Sequence, residues 1–469
     1  MAFFVLALIE FFRLRRFADP TGADGYFYLK QIQSLSGHAT FYYRDYSLAF
    51  LPPALLNLMV REPLLTYQVT TLAVFGGIGA VGARIAARVA TDRGPGAGSR
   101  VWAGVSIAFA VLFFAFGNLS LELTLVFLKT AFAALALLLF WDFAVAGRNR
   151  AAIAAAVAAV LSHKLMLVLV PAAALFLSPA FGISSIRGSR KRVGIGAAVV
   201  LGAFAILGIA AFVQRGFFEH LRHLLGATER LGFGTDVFAR MPTAAFFAIL
   251  LFLVAILAFA LARNAAGRAL RFLLFAGGLA LFAVALPGGL DTESLKYRLE
   301  LVAVPFFPVI TAIAIRGGGR FRAAGVALAA LPIALGLVFD RPLRTWVTPW
   351  SGRFANVDRI AEVLPPDALL YAPHGAEFYL AYRTPFRPRS LRIDARGREV
   401  YRVAYVAPYL ATTGALKDDL ETSALLKLGS EFFLFREADW TALNRIHLFI
   451  PHPMNLLPKK PDFVADYED

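Results

Sequence analysis

The 469-residue chain contains no cysteine. Disulfides, thioether-linked haem and thiolate metal sites are therefore excluded. Charge is also scarce, because 17% of the residues are charged, against about 25% in soluble domains. Hydrophobic residues make up 59% of the chain, against roughly 45–50% in an average soluble domain. The composition predicts that most of the chain lies in a lipid bilayer.

Several sequence features of other protein classes are missing as well. No Walker loop is present, because the glycine run 317–319 is not followed by Gly-Lys-Ser or Gly-Lys-Thr. The N-terminal residues lack the basic start and small-residue cleavage site of a removed signal peptide. No nucleic-acid-binding module is recognisable despite a net charge of +16. We therefore expect no nucleic-acid partner, and we interpret the basic residues as topology signals.

Apolar runs recur through the first 339 residues, and a membrane span needs roughly 20 mostly apolar residues. The pair of runs around 151–181 is ambiguous: it forms either two short spans turning at 162–164 or one long tilted helix. If the first apolar run, residues 2–17, does not cross the membrane, the number of spans drops from about eleven to about ten. The sequence thus predicts an all-α polytopic membrane protein with about eleven spans, near residues 2–17, 64–83, 101–117, 124–146, 151–162, 165–181, 194–213, 243–262, 272–287, 299–315 and 323–339.

Charges of opposite sign are sorted between alternate loops. One set of loops is rich in arginine, and the positive-inside rule places it in the cytoplasm. The other set contains nearly all the acids and is therefore expected outside, beginning with a long first external loop at 18–62. Arg13, Arg15 and Arg16 conflict locally with this topology. We expect a multi-pass protein of a bacterial plasma membrane with a cytoplasmic N-terminus. The cytoplasmic arginines include Arg84, Arg88, Arg148, Arg150, Arg263, Arg268, Arg271 and Arg316.

After residue 339 the chain mixes charges, proline and aromatic residues without a span-length apolar run. The segment 354–364 is predicted to be an amphipathic helix that ends at Pro365 and Pro366, because proline cannot continue a helix. Short apolar stretches at 368–372, 400–406 and 431–435 predict strands, and 418–428 predicts a helix. Two domains are therefore predicted: a transmembrane domain at 1–339 and a small extracytoplasmic α/β domain at 340–469.

The first external loop contains the most informative polar residues. Asp24 precedes Tyr26 and Tyr28, a short amphipathic segment follows, and Arg44 and Asp45 come later. Long ordered loops tend to be functional. A carboxylate here can act as a general base or hold a divalent cation such as Mg²⁺ or Mn²⁺. Alternatively, Asp24 caps the helix that begins near Tyr26.

These stretches resemble the GT-C superfamily of membrane glycosyltransferases, which use polyprenyl-phosphate-linked sugars. The resemblance rests on the first external loop, with Asp24 before aromatics, on the turn 162–164, on Tyr297 with Arg298, and on the external C-terminal segment. It implies that Asp24 acts in catalysis. Gly25 departs from the Asp-Glu pair common in the family. No Asp-x-Asp pair occurs in the second external loop, which leaves metal dependence open.

Further candidate residues lie near the outer ends of the predicted spans. Glu122 is either a second acid at the site or an interfacial carboxylate near a helix start. His163 and Lys164 interrupt an apolar run, and Lys164 either binds an anionic headgroup or extends to water. Lys296 and Arg298 break the positive-inside pattern. Arg298 can grip a phosphate bidentately or pair with a nearby glutamate.

In the predicted fourth external loop, 214–241, His220 and His223 give only a weak metal signal because no third ligand is evident. The sequence therefore predicts a GT-C-type glycosyltransferase that moves a sugar from a polyprenyl-phosphate carrier to an unidentified acceptor outside the membrane. Asp24 and Glu122 are the candidate catalytic acids. The alternatives are a transporter or flippase and a non-catalytic membrane subunit. The candidate substrate-binding residues are Tyr26, Tyr28, Arg44, Asp45, His163, Lys164, Lys296, Tyr297 and Arg298.

Overall fold

The computed structural model describes most of the chain in separate stretches. They cover residues 24–42, 45–90, 104–109, 127–177, 235–263, 267–286, 295–338, 356–372, 375–388, 397–405, 414–428 and 432–447, with isolated positions between 7 and 21, between 101 and 123, and at 354. The predicted span at 194–213 and the loop residues His220 and His223 lie outside the described residues, and the span at 2–17 lies mostly outside them.

The described part of residues 18–62, the predicted first external loop, folds into ordered elements. Helix α1 covers Gly25–His38 and confirms the short amphipathic segment expected after Asp24. A 3₁₀ turn at Leu48–Phe50 leads into α2, Leu51–Val60. Both helices end on a residue in the left-handed region, which closes the last turn through its backbone N–H. The loop therefore presents Asp24 on a fixed scaffold.

Four described segments are long and apolar enough to cross a membrane. The first three lie in α3 (Pro63–Ala90), α4 (Leu128–Val145) and α8 (Arg268–Ala285). The fourth, Tyr297–Gly317, is almost wholly buried and combines α9, a 3₁₀ turn and α10. Such helices satisfy their backbone polar groups internally, as lipid requires. The chain is an integral membrane protein, and the count of eleven spans stays a prediction. The remaining helices of this part are α5 (Asn149–Ser162), α6 (Met166–Leu177), α7 (Thr235–Ala262), α9 (Leu295–Ala303), α10 (Phe307–Gly317) and α11 (Gly319–Val338).

The structure settles the ambiguity at 151–181. Helices α5 and α6 are separate, and His163 between them has an extended backbone conformation. The two helices contact each other. The segment is therefore two short apolar helices joined by a tight turn, and the alternative of one long helix is wrong.

Helices α3 and α4 run side by side in the same direction. Gly77 lies against Leu135, where an added Cβ would come within 3.0 Å of that side chain. Seven residues further along both helices, Arg84 pairs with Asp142 at 2.5 Å, and Arg88 pairs with the same carboxylate at 2.9 Å. The arginine-rich end of α3 and the Asp142 end of α4 therefore lie at the same end of the helix bundle.

The C-terminal segment forms a four-stranded sheet in the order β1-β2-β4-β3. Strands β1 and β2 are parallel, whereas β4 is antiparallel to both β2 and β3. Three predicted strand segments are thus confirmed as strands. The elements are β1 (Leu369–Tyr371), α12 (Ala376–Arg383), β2 (Val400–Tyr405), α13 (Gly414–Ser423), β3 (Leu426–Lys427), β4 (Phe432–Arg436) and α14 (Glu437–His447).

Two helix predictions in this segment need correction. The predicted amphipathic helix at 354–364 is a shorter 3₁₀ helix over Val357–Glu362. Pro365 disfavours α conformation at the preceding residue, so little chain remains for a regular helix. The predicted helix at 418–428 ends at Ser423, and Leu426–Lys427 pair with β4. The amide of Leu425 donates to the carbonyl of Leu434 at 2.7 Å, and the amide of Leu428 donates to the carbonyl of Phe432 at 2.8 Å, as in a strand.

Candidate active site

Asp24 occupies the N-cap position of α1, directly before Gly25. Its backbone carbonyl accepts the amide of Tyr28 at 3.1 Å. Its side chain makes no capping hydrogen bond to the first turn of the helix. The alternative of a helix-capping carboxylate is therefore not what the structure shows for Asp24.

Gly25 has a packing reason to be glycine. A Cβ at this position would lie 2.6 Å from the Cβ of Pro20, far inside van der Waals contact. The chain before Asp24 thus folds back onto the start of α1. A glutamate after Asp24, as in the Asp-Glu pair of the family, has no room in this arrangement.

Tyr28 lies at the centre of the site. It is buried and stacks on Tyr67 of α3, with ring centroids 5.9 Å apart and an interplanar angle of 15°. Burial raises the pKa of the Tyr28 hydroxyl well above its usual value, and the negative charges of Asp24 and Asp45 raise it further. The positive charge of Arg298 acts in the opposite direction. Asp24, Asp45 and Arg298 therefore all lie close enough to influence one phenol.

Arg298 is held by an aromatic contact at the start of the fourth candidate span. Its guanidinium carbon lies 4.4 Å from the centroid of the Phe127 ring, a cation–π geometry. Tyr297 is buried and packs edge-on against the same ring at 5.9 Å. Lys296 lies in the first turn of α9, next to these residues. The structure thus places Arg298 beside the beginning of α4.

The second half of the first external loop reaches the same end of the bundle. Asp45 forms an ion pair with Lys129 in the first turn of α4 at 2.5 Å. Two residues later, the Ser47 hydroxyl donates to the carbonyl of Ser162 at 2.7 Å. The loop therefore bridges the start of α4 and the end of α5.

His163 and Lys164 form the turn between α5 and α6. The backbone amide of Leu165 donates to Nδ1 of His163 at 3.2 Å, which stabilises the turn. Lys164 is exposed. The structure brings this turn to the first external loop through Ser47, and the hydrogen bond of His163 is the kind expected of a structural histidine.

Sequence reasoning missed the contact between Asp19 and Tyr26. The fully buried Tyr26 donates its hydroxyl to Asp19 at 2.8 Å, and Arg383 of α12 donates to the same carboxylate at 2.8 Å. Tyr26 also packs edge-on against Tyr379, with centroids 5.0 Å apart. Burial and the Asp19 hydrogen bond raise the pKa of Tyr26. The C-terminal segment thus docks directly onto the helix that follows Asp24.

Comparison with known proteins gives one clear result. No known family profile matches this sequence, and no curated protein matches it. The crystal structure of ArnT from Cupriavidus metallidurans in the apo state aligns with 94% of this chain and 98% of its own, at 14% identity and a TM-score of 0.50. ArnT is an aminoarabinose transferase of the GT-C type. The chain has the GT-C fold. The same protein bound to undecaprenyl phosphate aligns over equal shares with a TM-score of 0.49.

This similarity confirms the fold that the resemblance implied. It does not by itself assign a reaction. The roles of the predicted site residues stay predictions. Glu122 and Arg44 lie outside the described residues, so the structure gives them no position.

Two chemical features complete the candidate site on the GT-C fold. Among the described residues, no group of three His, Asp or Glu side chains is arranged to hold a metal ion. An open polar cavity of about 350 Å³ lies beside Arg383, between the 3₁₀ helix Val357–Glu362 and the end of α12. Its lining includes Asp358, Arg359, Glu362 and Thr384. Carboxylates and guanidinium groups of this kind can bind a hydroxyl-rich molecule.

Proposed function

We propose that this protein is a glycosyltransferase that moves a sugar from a polyprenyl-phosphate carrier to an acceptor at the outer face of the membrane. One observation supports the proposal: the charges of Asp24, Asp45 and Arg298 all act on the pKa of the buried Tyr28 hydroxyl. A base and a cation are the two groups that such a transfer needs. The GT-C fold, shared with an aminoarabinose transferase, supports it.

The chemistry assigns a distinct role to each charged group. Asp24 accepts the proton of the acceptor hydroxyl as its oxygen attacks the anomeric carbon. The bond between that carbon and the phosphate oxygen breaks, and the configuration inverts. Arg298 stabilises the negative charge that develops on the leaving phosphate. Tyr28 is protonated at neutral pH, as an ordinary tyrosine is, and can donate a hydrogen bond.

The proposal includes a topology and a domain division. The first external loop and residues 340–469 lie outside the cell, whereas Arg84 and Arg88 lie at the cytoplasmic end. The cavity beside Arg383 is the proposed acceptor site, because α12 packs on the helix that follows Asp24. Residues 1–339 form the transmembrane domain, and residues 340–469 form a small α/β domain.

A transfer assay with two variants tests the proposal. Membranes containing Asp24→Asn or Arg298→Ala are supplied with polyprenyl-phosphate-linked sugars, and the glycosylated product is quantified. We expect each variant to lose about 100-fold or more in rate, as is usual for a general base or an electrostatic group. Arg298→Lys should retain part of the rate.

Matched controls exist within the chain. Asp367→Asn removes an exposed carboxylate, and Arg320→Ala removes an arginine that also lies over a ring, that of Phe321 at 5.2 Å. Both controls should transfer sugar at the normal rate. Unchanged product in both test variants would overturn the assigned site. Movement of the lipid-linked sugar across the membrane without product would favour the transporter alternative instead.

A further inference from the structure

Two distant parts of the chain bring three arginines to the end of α4. Arg268, the first residue of α8, donates from its guanidinium to the carbonyl of Val145, the last residue of α4, at 3.2 Å. Arg148 and Arg150 follow directly, at the turn into α5. We call Arg148, Arg150 and Arg268 the arginine cluster. It lies at the opposite end of the bundle from the candidate active site, because the first external loop meets the start of α4.

The arginine cluster has no acidic partner in the described part of the chain. All three arginines are exposed, and no described acid forms an ion pair with any of them. The nearest acid along this part of the chain is Asp142. It is fully buried and already pairs with Arg84 at 2.5 Å and with Arg88 at 2.9 Å. The cluster therefore presents three positive charges at the edge of two candidate spans.

Helix α5 adds an apolar stripe that begins at the cluster. Ile153, Val157 and Leu161, the α5 stripe, follow Arg150 at helical spacing and share its face of the helix. They are 63%, 51% and 54% exposed, whereas the opposite face of α5 is buried. From Arg150 to Leu161 the helix rises about 16 Å. This matches the depth of one leaflet, since the hydrocarbon core is about 30 Å thick.

We infer that the arginine cluster binds the phosphate headgroup of an anionic phospholipid, and that an acyl chain of this lipid lies along the α5 stripe. Guanidinium groups grip phosphate oxygens bidentately. Arg268 uses one of its five donors on Val145, so further donors remain for the phosphate. The lipid belongs to the leaflet that faces away from Asp24, which is cytoplasmic in the proposed topology. The inference needs only the membrane-embedded bundle and is independent of the proposed sugar transfer.

Equilibrium binding of a phospholipid to the purified full chain tests this site. Native mass spectrometry of the chain in detergent micelles gives the dissociation constant of phosphatidylglycerol from the bound and free populations. We expect the double variant Arg148→Gln and Arg150→Gln to weaken binding about thirtyfold, because each arginine near an anionic headgroup contributes about fivefold. Arg148→Lys with Arg150→Lys keeps both charges and should bind within about threefold of the unchanged protein. Unchanged binding in the glutamine variant would overturn the inference.

A matched double variant separates a site from a diffuse positive surface. Arg316 and Arg320 flank the turn between α10 and α11, and Arg316 lines a small cavity with Ala86 and Ala87 of α3, at the same end of the bundle. Arg316→Gln with Arg320→Gln thus removes the same charge from the same end and should change phosphatidylglycerol binding by less than about threefold. An equal loss of affinity in both glutamine variants would show diffuse attraction only and would refute the site. Both variants should melt in lipid-free micelles at the temperature of the unchanged protein.

Two further probes identify what the site recognises. Phosphatidylcholine has the same phosphate and acyl chains but a compensating ammonium group, so it should bind at least about tenfold more weakly than phosphatidylglycerol. Equal affinity for the two lipids would contradict recognition of the headgroup charge. Glycerol 3-phosphate carries the phosphate without acyl chains and should not displace phosphatidylglycerol at equal concentration. Displacement would show a free-phosphate site and would overturn the lipid assignment.

Discussion

The guanidinium of Arg383 donates a hydrogen bond of 2.8 Å to the carboxylate of Asp19, although 364 residues separate them along the chain. The same carboxylate accepts the hydroxyl of Tyr26, two residues after Asp24. Phe27 adds a ring contact with Phe378, with centroids 5.1 Å apart. The C-terminal segment therefore fixes the helix that carries the candidate catalytic carboxylate.

The first prediction concerns this contact. Arg383→Ala should lower the maximal rate of sugar transfer several-fold, because α1 loses the hydrogen bond to Asp19 through which α12 holds it in place. Stability should fall by only about 0.2–1 kcal/mol, since Arg383 is 47% exposed and solvent screens the pair. A double-mutant cycle with Asp19→Asn should show coupling between the two sites. Additive effects of the two substitutions would mean that the contact does not act as a unit. Arg436→Ala, which breaks a similarly exposed pair with Glu399 at 2.8 Å, is the control and should leave the transfer rate unchanged.

The second prediction concerns alkaline pH. The pKa of Tyr28 is raised above its usual value, so the folded protein keeps a proton that the unfolded chain loses above pH 10 or so. Stability is therefore complete below that pH and falls as the pH rises further. Tyr28→Phe should flatten this fall by up to about 1.4 kcal/mol per pH unit.

Melting temperatures between pH 8 and pH 11 measure this effect. Tyr46→Phe is the matched control, because Tyr46 is 70% exposed. The control should follow the unchanged protein across the whole range. Parallel curves for Tyr28→Phe and the unchanged protein would contradict the assignment of the raised pKa.

The third prediction concerns Asp142 at the other end of α4. Its side chain is fully buried and pairs with both Arg84 and Arg88. Replacing both arginines by alanine leaves a buried carboxylate uncompensated and should cost about 3 kcal/mol. Adding Asp142→Asn should restore part of that loss, because it removes the charge. Denaturant titration of the purified variants in detergent micelles measures these changes in the free energy of unfolding. Arg150→Ala, at an exposed position, should have no effect. A triple variant less stable than the double would refute the argument.

The fourth prediction separates structure from catalysis at His163. Its Nδ1 accepts the amide of Leu165, so His163→Ala should cost about 1 kcal/mol of stability. His163→Asn should restore most of this, because an amide oxygen can accept the same bond. The transfer rate per folded molecule should stay unchanged in both variants. A large loss of rate in a stably folded His163→Asn protein would instead assign His163 to the reaction.

Much of the fold could be predicted from local pattern. Within the described residues, the runs near 64–83, 124–146, 272–287 and 299–315 contain the four candidate spans, because an apolar segment of span length must satisfy its backbone internally. Strands β1, β2 and β4 also follow from short apolar stretches between turn signals. The fold implied by the GT-C resemblance is confirmed, whereas the roles of Asp24 and Arg298 stay predictions.

Other elements depended on tertiary contacts. Helix α12 is only eight residues long and has no side-chain N-cap. Its packing against α1 supplies the stability that its sequence lacks. Strand β3 lies where a helix was expected, because pairing with β4 satisfies its backbone. Local sequence carries no information about such partners.

The sequence by itself determined that the chain crosses a membrane and which end of each predicted span is basic. It also made Asp24 a candidate catalytic residue and Arg298 a candidate phosphate-binding residue. These properties follow from apolar length and charge sign, which are local. Only the tertiary structure decided that Lys129 pairs with Asp45, that Arg298 lies over Phe127, and that Arg383 reaches Asp19. Each of these contacts joins distant parts of the chain, and long-range packing alone brings them within bonding distance.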